Sequence, residues 1–190
     1  MHSCLKKDQR RDRDCCTWLL APYEKKSGCL QAIIETPKGS RNKYAFDPDQ
    51  NVFALKKVLP AGMAFPYDFG FIPSTLAEDG DPMDVLALMD EPGAVGCLLR
   101  CRVIGIIEGE QGKKKDRERN DRIVAIEEDN HRFADIKNVK DLGKEFLTEL
   151  EDFFVNYHQL SGKKYRVLDA KGPNEAASRI ERARREFRKK

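Results

Sequence analysis

Long apolar runs are absent from this sequence: no segment approaches the roughly 20 consecutive apolar residues that a membrane-spanning helix needs. An excess of one charge is absent too, because 35 basic residues nearly cancel 32 acidic residues and leave a net charge of +3. A dedicated nucleic-acid-binding protein normally carries a clear basic excess. We therefore expect neither a membrane nor a nucleic acid as partner. The near-balance of many charges instead fits a site that holds cations with carboxylates and anions with basic groups.

Cysteine motifs for zinc or disulfide chemistry are also lacking. No Cys-x-x-Cys pair occurs, and the two cysteines of the apolar run near residue 100 would lie about 13 Å apart along a strand, too far for a disulfide. The basic start of the chain is followed only by a short apolar patch at residues 18–21, which is too short for a secretory signal. We expect reduced thiols and a cytoplasmic protein. The six cysteines are Cys4, Cys15, Cys16, Cys29, Cys97 and Cys101.

The length of 190 residues suits one folded domain with a tail. Residues 1–28 alternate charges without an apolar period, so we expect a poorly ordered N-terminal extension before a single domain at residues 29–190. Helical spacing of apolar residues predicts helices near residues 146–157 and 174–187. Short strands followed by packed helices indicate an α+β domain on a small closed or half-closed barrel. The predicted strands are residues 30–35, 43–46, 52–58, 85–89, 98–107, 123–126 and 165–168, with a long loop at residues 59–82.

Three aspartates crowd into six residues at Asp79, Asp81 and Asp84. Like charges this close repel one another, and a bound cation would remove the repulsion. Mg²⁺ prefers oxygen ligands and commonly uses a few carboxylates together with substrate phosphates. A solvated turn is the plain alternative, but Pro82 stiffens the loop and the apolar strand after it anchors the carboxylates at the edge of the core. A calcium-binding EF-hand is excluded, because it needs an oxygen ligand in place of Met83 and glycine in place of Asp84.

Basic side chains cluster upstream of these aspartates. They fall in or beside two strands that are predicted to pair, so their heads would converge over one mouth of the barrel. Lysines on strands usually serve as solvated edge protection, but beside three aspartates they favour a site for a metal-bound polyanion. The residues are Lys38, Arg41, Lys43, Lys56 and Lys57.

A series of motifs, taken in order, resembles the family I soluble inorganic pyrophosphatases. The similarity covers the chain from about residue 30 to the C-terminus, and the acidic motif is its most specific part. The resemblance implies a five-stranded OB-like β-barrel with flanking helices, dependence on Mg²⁺, assembly into a homo-oligomer, and hydrolysis of inorganic pyrophosphate to two phosphates. The motifs are residues 35–44 (ETPKGSRNKY), 65–72 (FPYDFGFI), 79–85 (DGDPMDV), 120–125 (NDRIVA) and 153–157 (FFVNY).

The resemblance also implies roles for single residues. Asp79 and Asp84 match metal ligands. Asp81 matches the carboxylate that helps to deprotonate the attacking water beside the metal, and Glu35 matches an outer contributor to metal coordination. The phosphate contacts, which also neutralise charge during catalysis, match Lys43, Lys57 and Tyr157, with Arg122 where the family carries lysine.

Several positions depart from the family pattern. Ala45 replaces a glutamate, and Phe65 and Phe69 replace two tyrosines. His158 stands where the family usually carries a basic phosphate ligand. We keep two expectations for His158, a phosphate contact and a place on the solvent edge of its helix.

An insertion falls just before Arg122, in the stretch that bears metal ligands in the family. Matching without a gap puts Asn120 where an aspartate is expected, and Asp121 or Glu110 could take its place by a small shift in register. The sequence thus leaves open which of Glu110, Asn120 and Asp121 completes the metal site. A branch of the family carries a similar Glu-x-Glu-Gln…Arg-Asn-Asp-Arg pattern. The chain is therefore expected to belong to a variant branch.

Two other functions stay open at this point. A non-catalytic OB-like module for nucleotide or nucleic acid would use the basic C-terminal tail, but it would gain nothing from three aspartates and it needs stacking aromatics. A hydrolase of a related organic diphosphate is a closer alternative, because Phe65, Phe69 and His158 alter the family site.

Overall fold

The structure is a computed structural model that describes residues 20–113 and 116–189. Residues 1–19, which form most of the expected extension, lie outside the described residues. The elements follow the chain as β1 Leu30–Thr36, β2 Asn42–Asp47, β3 Val52–Val58, β4 Asp68–Ile72, β5 Met83–Leu88, β6 Leu98–Lys113, β7 Asp116–Arg119, β8 Arg122–Glu127, a 3₁₀ helix Val139–Leu142, α1 Gly143–Gln159, β9 Tyr165–Lys171 and α2 Pro173–Phe187.

Five strands close into a ring in the order β1, β4, β5, β8, β6 and back to β1. Neighbours in the ring are antiparallel, except that β5 and β8 run parallel. β7 and β9 extend the sheet along the far half of β6, and β2 and β3 form a separate hairpin. α2 packs against β6 and α1 packs against β9. The ring with its two flanking helices confirms the expected α+β fold on a five-stranded OB-like β-barrel.

Two apolar clusters fill the two sides of the strand β5. Side chains alternate between the faces of a strand, so Val85 joins the cluster that contains Ile180 of α2, whereas Leu86 joins the cluster that contains Leu150 and Phe154 of α1. A strand buried on both faces is apolar along its length, as expected for a strand covered by helices. This burial holds the end of β5, where the acidic loop enters, at the edge of the core.

The strand β4 lies inside the segment that was predicted as a loop, so that prediction is wrong for residues 68–72. All five residues of β4 are buried between β1 and β5. Pro66, Gly70 and Pro73 favour a loop in isolation. Gly70 is instead needed where β1 passes closely, because a Cβ there would lie 2.0 Å from the carbonyl oxygen of Ile33.

Residues 20–28 contact the folded body, although the sequence assigned them to the extension. Pro22 is buried, and its carbonyl accepts a hydrogen bond of 2.8 Å from the backbone N–H of Gln31. Tyr23 forms a β-bridge with Leu30 and packs against the apolar cluster under α2. The contact between chain and body therefore begins before residue 29.

Among residues 20–113 and 116–189, no helix is both long enough and apolar enough to span a bilayer.

Candidate active site

A cleft of about 530 Å³ opens where the hairpin β2–β3, the acidic loop and the end of α1 meet the ring. The ring strands β1, β5 and β8 contribute Glu35, Asp84 and Arg122 to it. The cleft is lined by most of the residues that the sequence nominated: Glu35, Lys43, Asp79, Asp81, Asp84, Arg122, Tyr157 and His158, and also Asn120.

Hydrogen bonds within the acidic loop fix its shape. The N–H of Ala77 donates to the carbonyl of Asp81 over 2.8 Å, and Asp79 Oδ1 accepts a hydrogen bond of 3.3 Å from the N–H of Asp81. Gly80 has φ of +90°, a conformation that residues with a Cβ rarely adopt. The turn directs Asp79 and Asp81 into the cleft, while Asp84 enters it from the strand β5.

Asp84 lies next to Arg122 across the parallel strands β5 and β8. Asp84 Oδ2 is 3.8 Å from Arg122 Nε, and the side chains are 27% and 2% exposed. Burial raises the pKa of Asp84 to about 7, even though Arg122 and Lys43 oppose the shift. A carboxyl that is costly to ionise would be stabilised in its charged form by a nearby metal cation.

The guanidinium of Arg122 is fixed by groups from three elements. It lies 3.8 Å from the ring centroid of Phe154, and its Nη1 donates to the hydroxyl of Tyr165 over 2.6 Å and to the carbonyl of Asn120 over 3.3 Å. Its Nη2 lies 3.2 Å from Nε2 of His158. The charge of Arg122 is thus held at the wall of the cleft without the help of Asp84.

His158 is buried, so the expectation that it lies on the solvent edge of its helix is wrong. The residue is 6% exposed and its ring stacks on Tyr165, with centroids 4.7 Å apart. Burial, and then the positive charges of Arg122, Lys163 and Lys57, lower the pKa of His158 to about 3. The strand β9, which carries Tyr165, covers the helix face that sequence periodicity left open.

Glu35 and Lys43 form a second ion pair in the cleft. Lys43 Nζ is 3.3 Å from Glu35 Oε2, while Glu35 Oε1 accepts a hydrogen bond of 2.7 Å from the N–H of Phe46. Lys43 Nζ also lies 4.0 Å from the ring centroid of Phe69, within the range of a cation–π contact. The phenylalanine at this position therefore supports the lysine where the family carries a tyrosine.

Lys57 stands beside the cleft behind Tyr157. Its Nζ lies 4.8 Å from the ring centroid of Tyr157 and donates to Ser161 Oγ over 2.7 Å. Burial lowers the pKa of Lys57. Tyr157, Ser161 and neighbouring Lys163 line the cleft, whereas Lys57 reaches it only past these residues.

Asp121 and Glu110 are not brought to the cleft. Asp121 accepts a hydrogen bond of 3.0 Å from the N–H of Gly109 and pairs with Arg119 at 2.9 Å and Arg179 at 3.6 Å, facing a second cavity of about 340 Å³. Glu110 pairs with Arg117 and with Arg166. Neither carboxylate is therefore placed to serve as a metal ligand in this cleft.

Of the three residues that the sequence left open for the metal site, only Asn120 lines the cleft. Adjacent residues of an extended segment point to opposite sides, so Asn120 and Arg122 share the cleft side while Asp121 faces away. The Oδ1 atom of Asn120 is buried without a hydrogen-bond partner. Gln111 of β6 lines the cleft next to it. This side of the cleft therefore carries amides rather than carboxylates.

Comparison with known proteins decides the family. The model of the inorganic pyrophosphatase family matches residues 32–188. The chain belongs to this family. The resemblance drawn from the sequence motifs is thereby confirmed, and the cleft corresponds to residues that those motifs contain.

Individual inorganic pyrophosphatases are similar to this chain over most of its length. The inorganic pyrophosphatase of Synechocystis sp. is 40% identical over 147 residues, which cover 77% of this chain and 85% of that protein. That of Geobacillus stearothermophilus is 34% identical over 152 residues, or 80% and 90% of the two chains. The crystal structure of the inorganic pyrophosphatase from Thermus thermophilus superposes with a TM-score of 0.81 at 31% identity, covering 89% of this chain and 97% of that one.

The pyrophosphatase family is a metal-dependent class of enzymes, and the cleft suits a hard cation that keeps part of its water shell. Within the described ranges, no three His, Cys, Asp or Glu residues lie close enough to cage a metal by themselves. Mg²⁺ typically takes one or two carboxylates and completes its shell with water and substrate phosphates. The raised pKa of Asp84 and the orphaned oxygen of Asn120 both point to a cation among these oxygens.

Three polar residues of the cleft, Gln111, Ser161 and Lys163, were missed from the sequence. Gln111 has no acidic or basic character to mark it, and its place depends on the bulge between Glu108 and Gly109 in the β6–β9 pairing. Ser161 and Lys163 follow α1 in a turn that was recognised only as a helix stop. In that turn the N–H of Lys163 donates to the carbonyl of His158 over 3.1 Å. A turn that folds back on the end of α1 brings Lys163 close to His158. Recognising that turn in the sequence would have made Lys163 a candidate for the cleft.

Proposed function

We propose that this pyrophosphatase-family chain hydrolyses inorganic pyrophosphate to two phosphates and that its metal is Mg²⁺. The observation that carries the proposal is the charge arrangement of the cleft. Carboxylates of Glu35, Asp79, Asp81 and Asp84 share one small space with Lys43, Arg122 and Lys163. Pyrophosphate with its cations presents both signs of charge, and few other small substrates do.

The metal-binding role falls to the carboxylates on the acidic side of the cleft. Asp79 and Asp84 would hold Mg²⁺ directly, with Asp81 and Glu35 beside them, and the substrate's own oxygens would complete the shell. When bound, Mg²⁺ lowers the pKa of a bound water so that hydroxide forms near neutral pH. Neither Asp121 nor Glu110 takes part in this assignment.

The chain's own groups would orient the reactants and neutralise charge. Asp81 would accept the proton of the attacking water. Lys43, Arg122 and Tyr157 would contact the phosphate oxygens, on which negative charge accumulates as the P–O bond breaks. Lys57 would add long-range positive charge from behind Tyr157. No covalent intermediate is required, because the water attacks phosphorus directly.

The geometry does not favour the binding-module alternative. An OB-like module that stacks bases needs exposed aromatic faces, whereas Phe65 and Phe69 are 2% and 6% exposed and Lys43 lies over the Phe69 ring. Three arginines of α2, namely Arg179, Arg182 and Arg184, also pair with acidic neighbours.

The cellular location and the oligomeric state are further parts of the proposal. We propose a cytoplasmic homo-oligomer. Support for a reducing compartment comes from the free thiols of Cys29, Cys97 and Cys101. Support for assembly comes from apolar side chains exposed on the β2–β3 hairpin, which include Leu55 at 54% and Val58 at 55% exposure. Light scattering after gel filtration tests the oligomer directly.

A substrate panel tests the proposed reaction. Phosphate release would be measured with Mg²⁺ and equal concentrations of pyrophosphate, ADP and a nucleoside diphosphate sugar. We expect rapid release from pyrophosphate and little from the organic diphosphates, because an organic portion would have to lie among the charged groups that line the cleft. Faster hydrolysis of an organic diphosphate would replace the proposal with the organic-diphosphate hydrolase alternative.

A further inference from the structure

Arg122 is the most deeply buried charge of the cleft, with a side chain only 2% exposed. Two rings contact its guanidinium: its carbon lies 3.8 Å from the Phe154 centroid and 4.8 Å from the Tyr165 centroid, and the Tyr165 hydroxyl accepts a hydrogen bond from Nη1. The Phe154 ring against the guanidinium restricts its tilting, whereas the positions of its nitrogens depend on the hydrogen bonds around its edge. In-plane contacts must therefore decide which nitrogen faces the cleft.

The in-plane contacts come from different sides. Nη1 donates to the Tyr165 hydroxyl and to the Asn120 carbonyl. Nε points toward Asp84 across 3.8 Å and has no hydrogen-bond partner among the described residues. His158 Nε2, 3.2 Å from Nη2, supplies the contact on the remaining side. His158 therefore completes the frame that sets the orientation of Arg122.

The chemistry of this contact fixes the state of the histidine. Guanidinium has donors only and keeps its proton in proteins. His158 Nε2 must therefore accept, which places the ring proton on Nδ1 and leaves the ring neutral. Protonation at Nε2 would set two donors against each other at 3.2 Å.

We propose that His158 is a neutral positioning residue, which holds the Arg122 guanidinium toward Asp84 and the substrate, and is not itself a phosphate ligand. The inference rests on the proposed function only for what Arg122 contacts when substrate is bound. The contact between the histidine and the arginine belongs to the free protein and can be tested without turnover.

The charged groups that face His158 all favour the neutral ring. Arg122 faces it from β8, and Tyr165 stacks on it from β9. Tyr157 meets its edge within α1, with ring centroids 5.3 Å apart. Lys163 and Lys57 add positive charge from the following turn and from β3. Among these neighbours there is no carboxylate to compensate a proton on the ring.

Kinetics of matched variants test the positioning role. His158→Ala removes the acceptor and should lower kcat/KM by about 10- to 100-fold, the usual effect of losing a hydrogen bond to a charged group. His158→Gln places an amide oxygen near the position of Nε2 and should recover most of that loss. His131→Gln, at an exposed histidine, is the control. An equal loss in the Ala and Gln variants overturns the proposal.

The pH dependence separates positioning from phosphate binding. A neutral positioning histidine predicts no fall in pyrophosphate affinity due to this residue between pH 6 and 9, so the pH profile of KM should match in wild type and His158→Gln. A protonated phosphate ligand predicts a wild-type KM that rises through the histidine pKa and a flat profile in the Gln variant. That second pattern overturns the proposal.

NMR of the ¹⁵N-labelled protein gives the readout that does not depend on activity. We expect the His158 ring to carry its proton on Nδ1 and to stay neutral at pH 5.5, before and after addition of inorganic phosphate with Mg²⁺. A ring that becomes protonated when phosphate binds overturns the proposal. If pyrophosphate is not hydrolysed but the ring has the expected tautomer, the proposed function fails while the histidine–arginine contact stands.

Discussion

Asp84 and Arg122 face each other across the parallel pair β5–β8, with Oδ2 3.8 Å from Nε. At this distance they attract each other without a hydrogen bond. The other nitrogens of Arg122 are engaged by Tyr165, Asn120 and His158. Asp84 is therefore available to a cation while Arg122 stays in place for an anion. A metal-bound polyanion needs this combination.

Metal affinity should depend on pH through Asp84. Its pKa is raised to about 7, and a proton competes with the metal for the carboxylate. Affinity for Mg²⁺ should thus be constant well above pH 7 and fall by up to about tenfold per pH unit below it. Calorimetric titration of the metal across pH 5.5 to 8.5 measures this. Asp84→Asn should bind weakly at every pH, and a variant that retains wild-type affinity would exclude Asp84 from the metal site.

Matched substitutions at Asn120 and Asp121 test which side of this segment faces the metal. Asn120→Asp adds a carboxylate to the cleft and should tighten Mg²⁺ binding at least about fivefold through the added charge. Asp121→Asn removes a carboxylate that faces Arg119 and Arg179 instead, so metal affinity should be unchanged. If Asp121→Asn weakens Mg²⁺ binding while Asn120→Asp leaves it unchanged, Asp121 reaches the metal.

The free energy of unfolding should decrease at acid pH because His158 is buried in its neutral form. Its pKa is about 3 in the folded protein and about 6.5 when unfolded, so the unfolded state binds the extra proton between these values. Stability due to this residue is complete above pH 6.5 and decreases as the pH falls toward 3. At pH 5 the loss is about 2 kcal/mol. Urea unfolding at pH 8 and pH 5 should show a smaller pH-dependent loss in His158→Gln, and equal losses would contradict the burial.

The N-terminal boundary can be located by deletion. Removing residues 1–28 eliminates buried Pro22 and the Tyr23–Leu30 bridge, and the melting temperature should fall by about 2–8 °C. Removing residues 1–19 should leave melting and turnover nearly unchanged, since no apolar period marks that stretch. If both deletions melt like the full chain, the contacts of residues 20–28 contribute little to stability.

Periodicity predicted the regular parts of the fold. Strands β1, β2, β3, β5 and β8 and both helices begin and end within a few residues of expectation. β4 was missed because its Gly70 and flanking prolines indicate a loop unless the close approach of β1 is known. β6 is longer than predicted since its second half, from Glu108 onward, is polar and is stabilised by pairing with β7 and β9.

The candidate site was predicted in part. Local patterns suffice for Asp79, Asp81 and Asp84, because a short loop keeps them together. Asp121 could not be excluded from sequence, since a one-residue change in register reverses which side chains face the cleft. The burial of His158 is a tertiary effect too: it depends on Tyr165, which lies beyond the turn after α1.

Phosphate release from pyrophosphate tests the central claim most directly. The full chain would be assayed with Mg²⁺ in excess of substrate, then after exhaustive chelation with EDTA, then after Mg²⁺ is restored. We expect release of two phosphates per pyrophosphate, loss of activity on chelation, and recovery with Mg²⁺, because Asp79, Asp81 and Asp84 act through a cation. Release that continues undiminished after chelation, or no release with Mg²⁺ present, would contradict the account.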